Sequence, residues 1–525
     1  MQFIKNQQIR LEITDLNTDG EGIGKVDGFP FFMKDAVPGD VVTATVMRVK
    51  KNYGYARMQG LLSPSPYRVV PVCPQHKACG GCQLQTLSYE KQMEFKEKKI
   101  ANNLCRIGGL SAEEVEKARE PFVGMEEPFH YRNKAQYPVG KDREGKVICG
   151  FYAGRTHSIV ANTDCSLGAE ENGAILRAVM EHMERYQISP YNEATGQGLV
   201  RHILIRTGFE SRQVMVCLVV NLSSAEWEKY GQERLKTEAL VGKLRGLSLD
   251  GDCSLTCPED GEMIQESGKG VPDGFEKGEI TRNRPGKICS IAVNLNIRRD
   301  NVIMGDECRT LWGSDTIEDR LFIRDVSNEF QRTGDFLTFK ISPLSFYQVN
   351  PRQTEKLYSI ALDYAALTGS ETVWDLYCGI GTISLFMARR AGQICGVEVV
   401  PQAIEDARTN AALNGITNAT FYVGKAEEVL PAFYKEHGND TSLTHPDVIV
   451  VDPPRKGCDS ACLDTMLQMQ PDRIVYVSCD SATLARDVRY LCEGGYELRR
   501  WRGVDQFGQT VHVETVVLMS RIDTQ

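Results

Sequence analysis

"TVWDLYCGIGTISLFMARRA", residues 372–391, is the stretch whose reading decides the fold. An apolar, β-forming run ends in a turn holding Gly379 and Gly381, and the chain continues at once with helical spacing. Units of the same kind follow in "QICGVEVVPQAIEDARTNAALNG" (393–415), "ATFYVGKAEEVL" (419–430), "PDVIVVDPPR" (446–455) and "RIVYVSCDSATLARDVRYL" (473–491). "QTVHVETVVLMS" (509–520) reads as a long final strand. Strands alternating with helices over residues 345–525 predict an α/β domain with a doubly wound, mostly parallel sheet.

Such sheets bind ligands outside the carboxyl ends of their strands. Gly379 and Gly381 allow close backbone approach there, but Ser384 stands where a dinucleotide fingerprint needs Gly or Ala, which weakens a nicotinamide site. Glu398 ends the second strand, where a carboxylate can take both hydroxyls of a ribose, and Asp452 ends the fourth in "VDPPRKG". The glycine turn, the acid and the Asp-Pro-Pro motif together resemble an S-adenosylmethionine-dependent methyltransferase domain.

The acceptor is a separate question. Methyltransferases acting on amino groups of nucleic acid often follow this motif with an aromatic that stacks on the base, whereas here Arg455 follows. Carbon 5 of a uracil is a poor nucleophile until a thiolate adds to carbon 6, and a base must later remove the carbon 5 proton. Cys479 sits at a strand-to-helix turn, where a helix N-terminus is expected to lower a thiol pKa, and Glu514 lies in the last strand.

"SFYQVNP", "DLYCGIGTISL", "VDPPRKG", "YVSCD" and "HVET" together closely resemble the RNA uracil-C5 methyltransferase family, over nearly the whole chain. The resemblance implies that Gln348, Tyr377, Glu398 and Asp452 line the S-adenosyl-L-methionine site, that Cys479 is the nucleophile and that Glu514 accepts the proton. Two positions depart from the family pattern. Asp480 replaces the usual Asn after the nucleophile and is expected to raise the thiol pKa; Gly508 replaces a proline before the base.

Residues 1–62 alternate and turn like a small OB-like β-barrel, and resemble the RNA-binding TRAM domain of that family. Residues 63–344 read as an α+β central domain, interrupted by an acidic surface insert at about 250–286 in which Cys253 and Cys257 are only a weak metal signal. Within the central domain, Cys73, Cys79 and Cys82, with the distant Cys165, offer four thiolates for an iron–sulfur cluster or zinc. Spacing does not choose between them, although it does not fit the pattern of radical enzymes that use S-adenosylmethionine. The "CGGCQLQ" arrangement resembles the 4Fe-4S cluster of the 23S rRNA-modifying branch, with zinc as the lesser alternative, so 23S rRNA is the expected partner. A tRNA uracil-C5 methyltransferase and a non-catalytic RNA-binding assembly factor are the alternatives.

A net charge of −9 argues against a nucleic-acid partner only until its distribution is read. Residues 250–279 hold nine acids and two bases, leaving −2 for the rest, while 67–106 carry seven bases against three acids and 130–157 six against two. Arg132, Lys134 and Arg455 are the candidate RNA contacts. The expected target is a uridine flipped from an accessible loop. No apolar run approaches the ~18 residues of a membrane helix, no signal peptide is legible, and the seventeen cysteines read as thiols, so a cytoplasmic protein is expected, with no protein partner evident.

Overall fold

A computed structural model of the protein describes residues 3–249, 286–436 and 445–522. The acidic run 250–279, with Cys253 and Cys257, lies outside the described residues.

Five strands, β1 (Gln8–Leu16), β2 (Gly22–Val26), β3 (Phe29–Met33), β4 (Val41–Val49) and β5 (Gly54–Ser63), close into a barrel in the order β1-β2-β3-β5-β4. Alternation drives closure: Ile9, Leu11 and Ile13 of β1, with Phe31 and Met33 of β3, point inward to one small core. Beyond the barrel, Arg68 Nε donates to both oxygens of the buried Asp40 at 3.0 and 3.1 Å. That pair fastens the barrel to the chain that follows it.

The central sheet runs β12-β11-β10-β9-β6-β7-β8, from β6 (Lys134–Lys141), β7 (Val147–Tyr152), β8 (Ile159–Ala161), β9 (Val200–Thr207), β10 (Gln213–Val220), β11 (Lys287–Leu295) and β12 (Glu307–Gly313). Helices Asn172–Arg185 and Thr237–Arg245 bury apolar side chains in the core on one of its faces. A hairpin of β13 (Ile317–Asp325) and β14 (Gln331–Ile341) leads into helix Pro351–Ala365.

The last sheet holds β15 (Thr372–Leu376), β16 (Gln393–Glu398), β17 (Ala419–Val423), β18 (Val448–Val451), β19 (Arg473–Ser478), β20 (Tyr496–Val504) and β21 (Glu514–Arg521), in the order β17-β16-β15-β18-β19-β21-β20. The first five are parallel and β21 is antiparallel to β19. Chain order reverses between β15 and β18, the switch point at which such sheets bind ligands. Because β21 runs backwards, its first residue, Glu514, lies at the edge where the parallel strands end.

The final strand is shorter than expected from alternation. Gln509 adopts φ +67°, and Thr510 Oγ1 donates to Phe507 O at 2.7 Å, so 505–513 forms a turn-rich loop before β21 begins. Segment 119–123 bridges in parallel to Trp501 and Val504, covering the free edge of β20.

Candidate active site at the carboxyl edge of the parallel sheet

Four strand ends meet at the switch point. Asp375 lies near the end of β15, Glu398 ends β16, Asp452 follows β18 and Cys479 follows β19. Gln348, from the segment before helix Pro351–Ala365, donates through Nε2 to Asp452 Oδ2 at 3.5 Å. Ser478 pairs with Thr515, which sets Cys479 opposite Glu514 in the extended register.

The site is rich in buried acids. Burial pushes the Asp452 carboxyl up to about 7, opposed by the Gln348 hydrogen bond. Burial, with the Asp452 charge second, raises Glu514 well above the usual carboxylate range. Asp375 is also pushed up to about 7 by burial, against the Ser384 hydroxyl that donates to its Oδ2 at 2.5 Å. Glu514 Oε2 and Asp375 Oδ1 are buried without a hydrogen-bond partner. Three buried carboxyls, two with unpartnered oxygens, thus gather at one edge, and a cation brought among them would favour their charged forms.

The thiol does not behave as its turn alone suggests. Burial, then the charges of Glu514 and Asp452, push Cys479 up to about 12, while Arg455 beside it pulls the other way through charge and a hydrogen bond. Asp480 is not among the causes. Its carboxylate caps helix Ser481–Glu493, accepting from Ala482 N at 2.9 Å and Thr483 N at 3.2 Å, so it is committed to the helix start, and the largest influences on the thiol are burial, Glu514 and Asp452. The expected lowering by the helix N-terminus is overridden by desolvation and two acids.

Tyr377, at φ +72°, takes a different direction from the acids, its phenol hydrogen-bonding the Cys462 thiol. Burial pushes the His512 imidazole down to about 4, and the charges of Arg455, Lys99, Lys96 and Arg132 act in the same direction. Lys134 lies apart, near Arg206, and burial pushes its ammonium down to about 7.

Sequence reasoning missed the support of the 505–513 loop. Lys96 Nζ donates to Asp505 Oδ1 at 2.6 Å, with both side chains 0% exposed, and to Phe507 O at 3.1 Å. Tyr89 OH donates to the other Asp505 oxygen at 2.8 Å. Gln509 O accepts from Gln83 N and Leu84 N, both at 3.1 Å, and Tyr131 OH donates to Gly508 O at 2.9 Å. The loop entering Glu514 is thus clamped by the cysteine segment and the helix after it. Asp375 had a legible signal, a lone acid in an apolar run; Lys96, one of many charges in "EKQMEFKEKK", had none.

Cys73, Cys79 and Cys165 all lie within electrostatic reach of Cys82, whose thiol is pushed up to about 12, first by burial. Burial also raises Cys79 and Cys165. Among the described residues, no three His, Cys, Asp or Glu side chains converge tightly enough to grip one metal ion. The expected metal quartet is thus brought together as four neighbouring thiols.

Residues 315–522 match the family model described as tRNA (Uracil-5-)-methyltransferase, and residues 2–58 match the TRAM domain. A Bacillus cereus protein described as an uncharacterized RNA methyltransferase is 42% identical over 519 residues, spanning 99% of this chain and 98% of its own. The chain belongs to the RNA uracil-C5 methyltransferase family. Within it, a Listeria innocua relative of the same description is 42% identical over 516 residues, covering 98% of each chain. The crystal structure of Pyrococcus abyssi tRNA (uracil-54, C5)-methyltransferase in complex with S-adenosyl-L-homocysteine superposes with a TM-score of 0.67 at 25% identity, over 97% of this chain and 99% of that one. The barrel is accordingly a TRAM domain, and the last sheet is the S-adenosylmethionine-dependent methyltransferase fold of an RNA uracil-5-methyltransferase. No described helix is long and apolar enough to cross a membrane.

Proposed function

We propose that the protein methylates carbon 5 of a uridine in 23S rRNA, with Cys479 as nucleophile and Glu514 as proton acceptor. The observation that carries this reading is the pairing of β19 with β21, which sets the thiol and the carboxyl opposite each other at the acid-lined edge. Gln348, Tyr377, Glu398 and Asp452 are the residues proposed to hold the methyl donor. S-adenosyl-L-methionine supplies the methyl group and a positive sulfonium, a charge that suits the buried carboxyls.

Cys479 Sγ, as thiolate, bonds to carbon 6 of the flipped uracil, moving the ring's π electrons onto carbon 5 and its neighbouring carbonyl. Carbon 5 then takes the methyl group, whose bond to the donor sulfur breaks with the electron pair staying on sulfur. Glu514 removes the carbon 5 proton, the ring double bond reforms, and the Cys479–carbon 6 bond breaks to return the thiolate. Arg455, bonded to Cys479, favours the thiolate at both ends of the cycle.

Cys73, Cys79, Cys82 and Cys165 are proposed to hold a 4Fe-4S cluster, with zinc as the lesser alternative. Their chemistry fits: Gly81 N donates to Cys79 Sγ at 3.4 Å, and the Leu167 and Gly168 amides bond to Cys165, the amide–sulfur contacts that tune such clusters. The clamp from Gln83 and Leu84 to Gln509 gives the cysteine segment a structural part in holding the loop before Glu514. The cysteine quartet supports the rRNA reading. A tRNA substrate is the second reading, favoured by the near-complete superposition on a tRNA-modifying enzyme. A cytoplasmic location is part of the same proposal.

The test is covalent trapping. Enzyme, S-adenosylmethionine and 5-fluorouridine-substituted 23S rRNA should give a band that survives denaturing electrophoresis and is missing with Cys479→Ala. A band with tRNA alone moves the substrate assignment to tRNA. No band with either RNA, from protein that binds the methyl donor, overturns the catalytic reading.

A further inference from the structure

A glutamine side chain has no fixed orientation of its own. The two ends of its amide, Oε1 and Nε2, have nearly the same shape and opposite hydrogen-bonding roles, so which end of Gln348 meets a ligand depends on what holds the other.

Two acceptors hold the nitrogen. Asp452 Oδ2 accepts from Gln348 Nε2 at 3.5 Å. Tyr358, in the middle of helix Pro351–Ala365, also accepts a hydrogen bond from the Gln348 side chain at its phenol oxygen. An amide nitrogen carries two hydrogens, and these two acceptors occupy both. Turning the amide over would bring Oε1 against the Asp452 carboxylate, oxygen against oxygen.

Tyr358 is itself fixed. It is 1% exposed, and its ring stands edge-on to Phe386, with centroids 5.5 Å apart and planes at 75°. Its hydroxyl shares a hydrogen bond of 3.3 Å with Oγ1 of Thr382, which opens helix Thr382–Ala388 directly after the glycine turn. A phenol can give its one proton to Thr382 and keep its lone pairs for Gln348. Burial, with the charges of Asp452 and Glu514, raises the Tyr358 pKa, so the group keeps its proton and acts through hydrogen bonds rather than as a base.

Asp452, Gln348, Tyr358 and Thr382 thus form one row of hydrogen bonds from the end of β18 to the glycine turn. Tyr358 lies outside the motifs that mark the others.

We propose that Tyr358 is a positioning residue for the methyl-donor site: anchored on Thr382, its hydroxyl holds Gln348 Nε2 beside Asp452 and so turns Oε1 toward the ligand. This rests on the reading that Gln348 lines that site. Presented in this way, Gln348 accepts a hydrogen bond, and it selects an N–H or O–H group of the methyl donor, its ammonium or a ribose hydroxyl.

The test is calorimetric titration of the full-length protein with S-adenosyl-L-homocysteine, in which neither RNA nor methyl transfer takes part. Gln348→Ala should weaken binding about threefold to tenfold, the worth of one hydrogen bond, and Tyr358→Phe, which keeps the ring against Phe386, should weaken it by a similar factor. The double variant should bind no more weakly than Gln348→Ala alone, because Tyr358 acts through Gln348. A general loosening of the helix would instead multiply the two losses. In turnover with saturating RNA, Tyr358→Phe should raise KM for the methyl donor by the same factor and lower kcat less. Multiplied losses in the double variant, or unchanged affinity in Tyr358→Phe while Gln348→Ala binds weakly, overturn the inference alone. Unchanged affinity in Gln348→Ala overturns the donor-site reading of Gln348 and the inference with it.

Discussion

Cys479 and Glu514 face each other across the β19–β21 pair, and the carboxylate charge of Glu514 is one reason the thiol holds its proton to about pH 12. The proposed nucleophile and the proposed proton acceptor are thus in electrostatic conflict in the free protein. Arg455 offsets that conflict, and a cationic ligand among the acids would relieve it further.

Thiol reactivity follows from this. Alkylation of Cys479 by iodoacetamide in the free enzyme, read by mass spectrometry of its peptide, should be slow at neutral pH. It should rise about tenfold per pH unit with no plateau below pH 10, since only the thiolate reacts and its pKa is about 12. Asp452→Asn removes a raising charge and should speed alkylation at fixed pH; Arg455→Ala should slow it. A plateau near pH 8 would contradict the desolvated thiol.

Removing the proposed proton acceptor should stall the reaction after methyl transfer. Glu514→Gln keeps shape and loses basicity, so turnover should fall ~10²–10⁴-fold. The methylated ring should then remain bonded to Cys479 with ordinary uridine RNA, giving a denaturation-resistant band without fluorine. Turnover loss with no such band would mean that Glu514 acts before carbon–sulfur bond formation.

Asp480 gives a sharp contrast between charge and capping. Asp480→Ala should lower stability by about 0.5–2 kcal/mol in urea unfolding, because two amides at the start of helix Ser481–Glu493 lose their acceptor. Asp480→Asn keeps the cap and should leave both stability and Cys479 alkylation close to wild type. A large rise in alkylation rate with Asn would show a direct charge effect of Asp480 on the thiol beside its capping role.

The sequence made the parallel sheet and its ligand edge legible because each strand carries a local pattern that ends in a glycine turn, an acid or a small polar turn. Gln348, Asp452, Cys479 and Glu514 are marked by motifs, and folding brings them into one electrostatic neighbourhood. What stayed hidden depends on contacts remote in the chain. The thiol pKa is set by burial and by acids on other strands, and nothing in "VSCDS" encodes either. Alternation extended the last strand back through Val511, whereas Gln509 and Gly508 are drawn into a loop by partners more than 370 residues earlier.

Another contact remote in the chain, Lys96 with Asp505, yields the last prediction. Both side chains are 0% exposed at 2.6 Å, and desolvation lowers the lysine pKa against the opposing pull of Asp505. Lys96→Met leaves Asp505 buried with Tyr89 as its remaining side-chain donor, which should cost about 3–5 kcal/mol in urea unfolding. Adding Asp505→Leu removes the stranded charge and should recover much of that loss. Activity should not recover with it, because the pair also ties Phe507 O and holds the loop that enters Glu514. The double variant is therefore expected to bind RNA normally and to form the 5-fluorouridine adduct at near wild-type rate. With ordinary uridine its kcat should fall severalfold at little-changed KM, since proton removal is the step that needs the loop. Full recovery of kcat alongside stability would reduce the pair to a structural tie with no part in positioning the base.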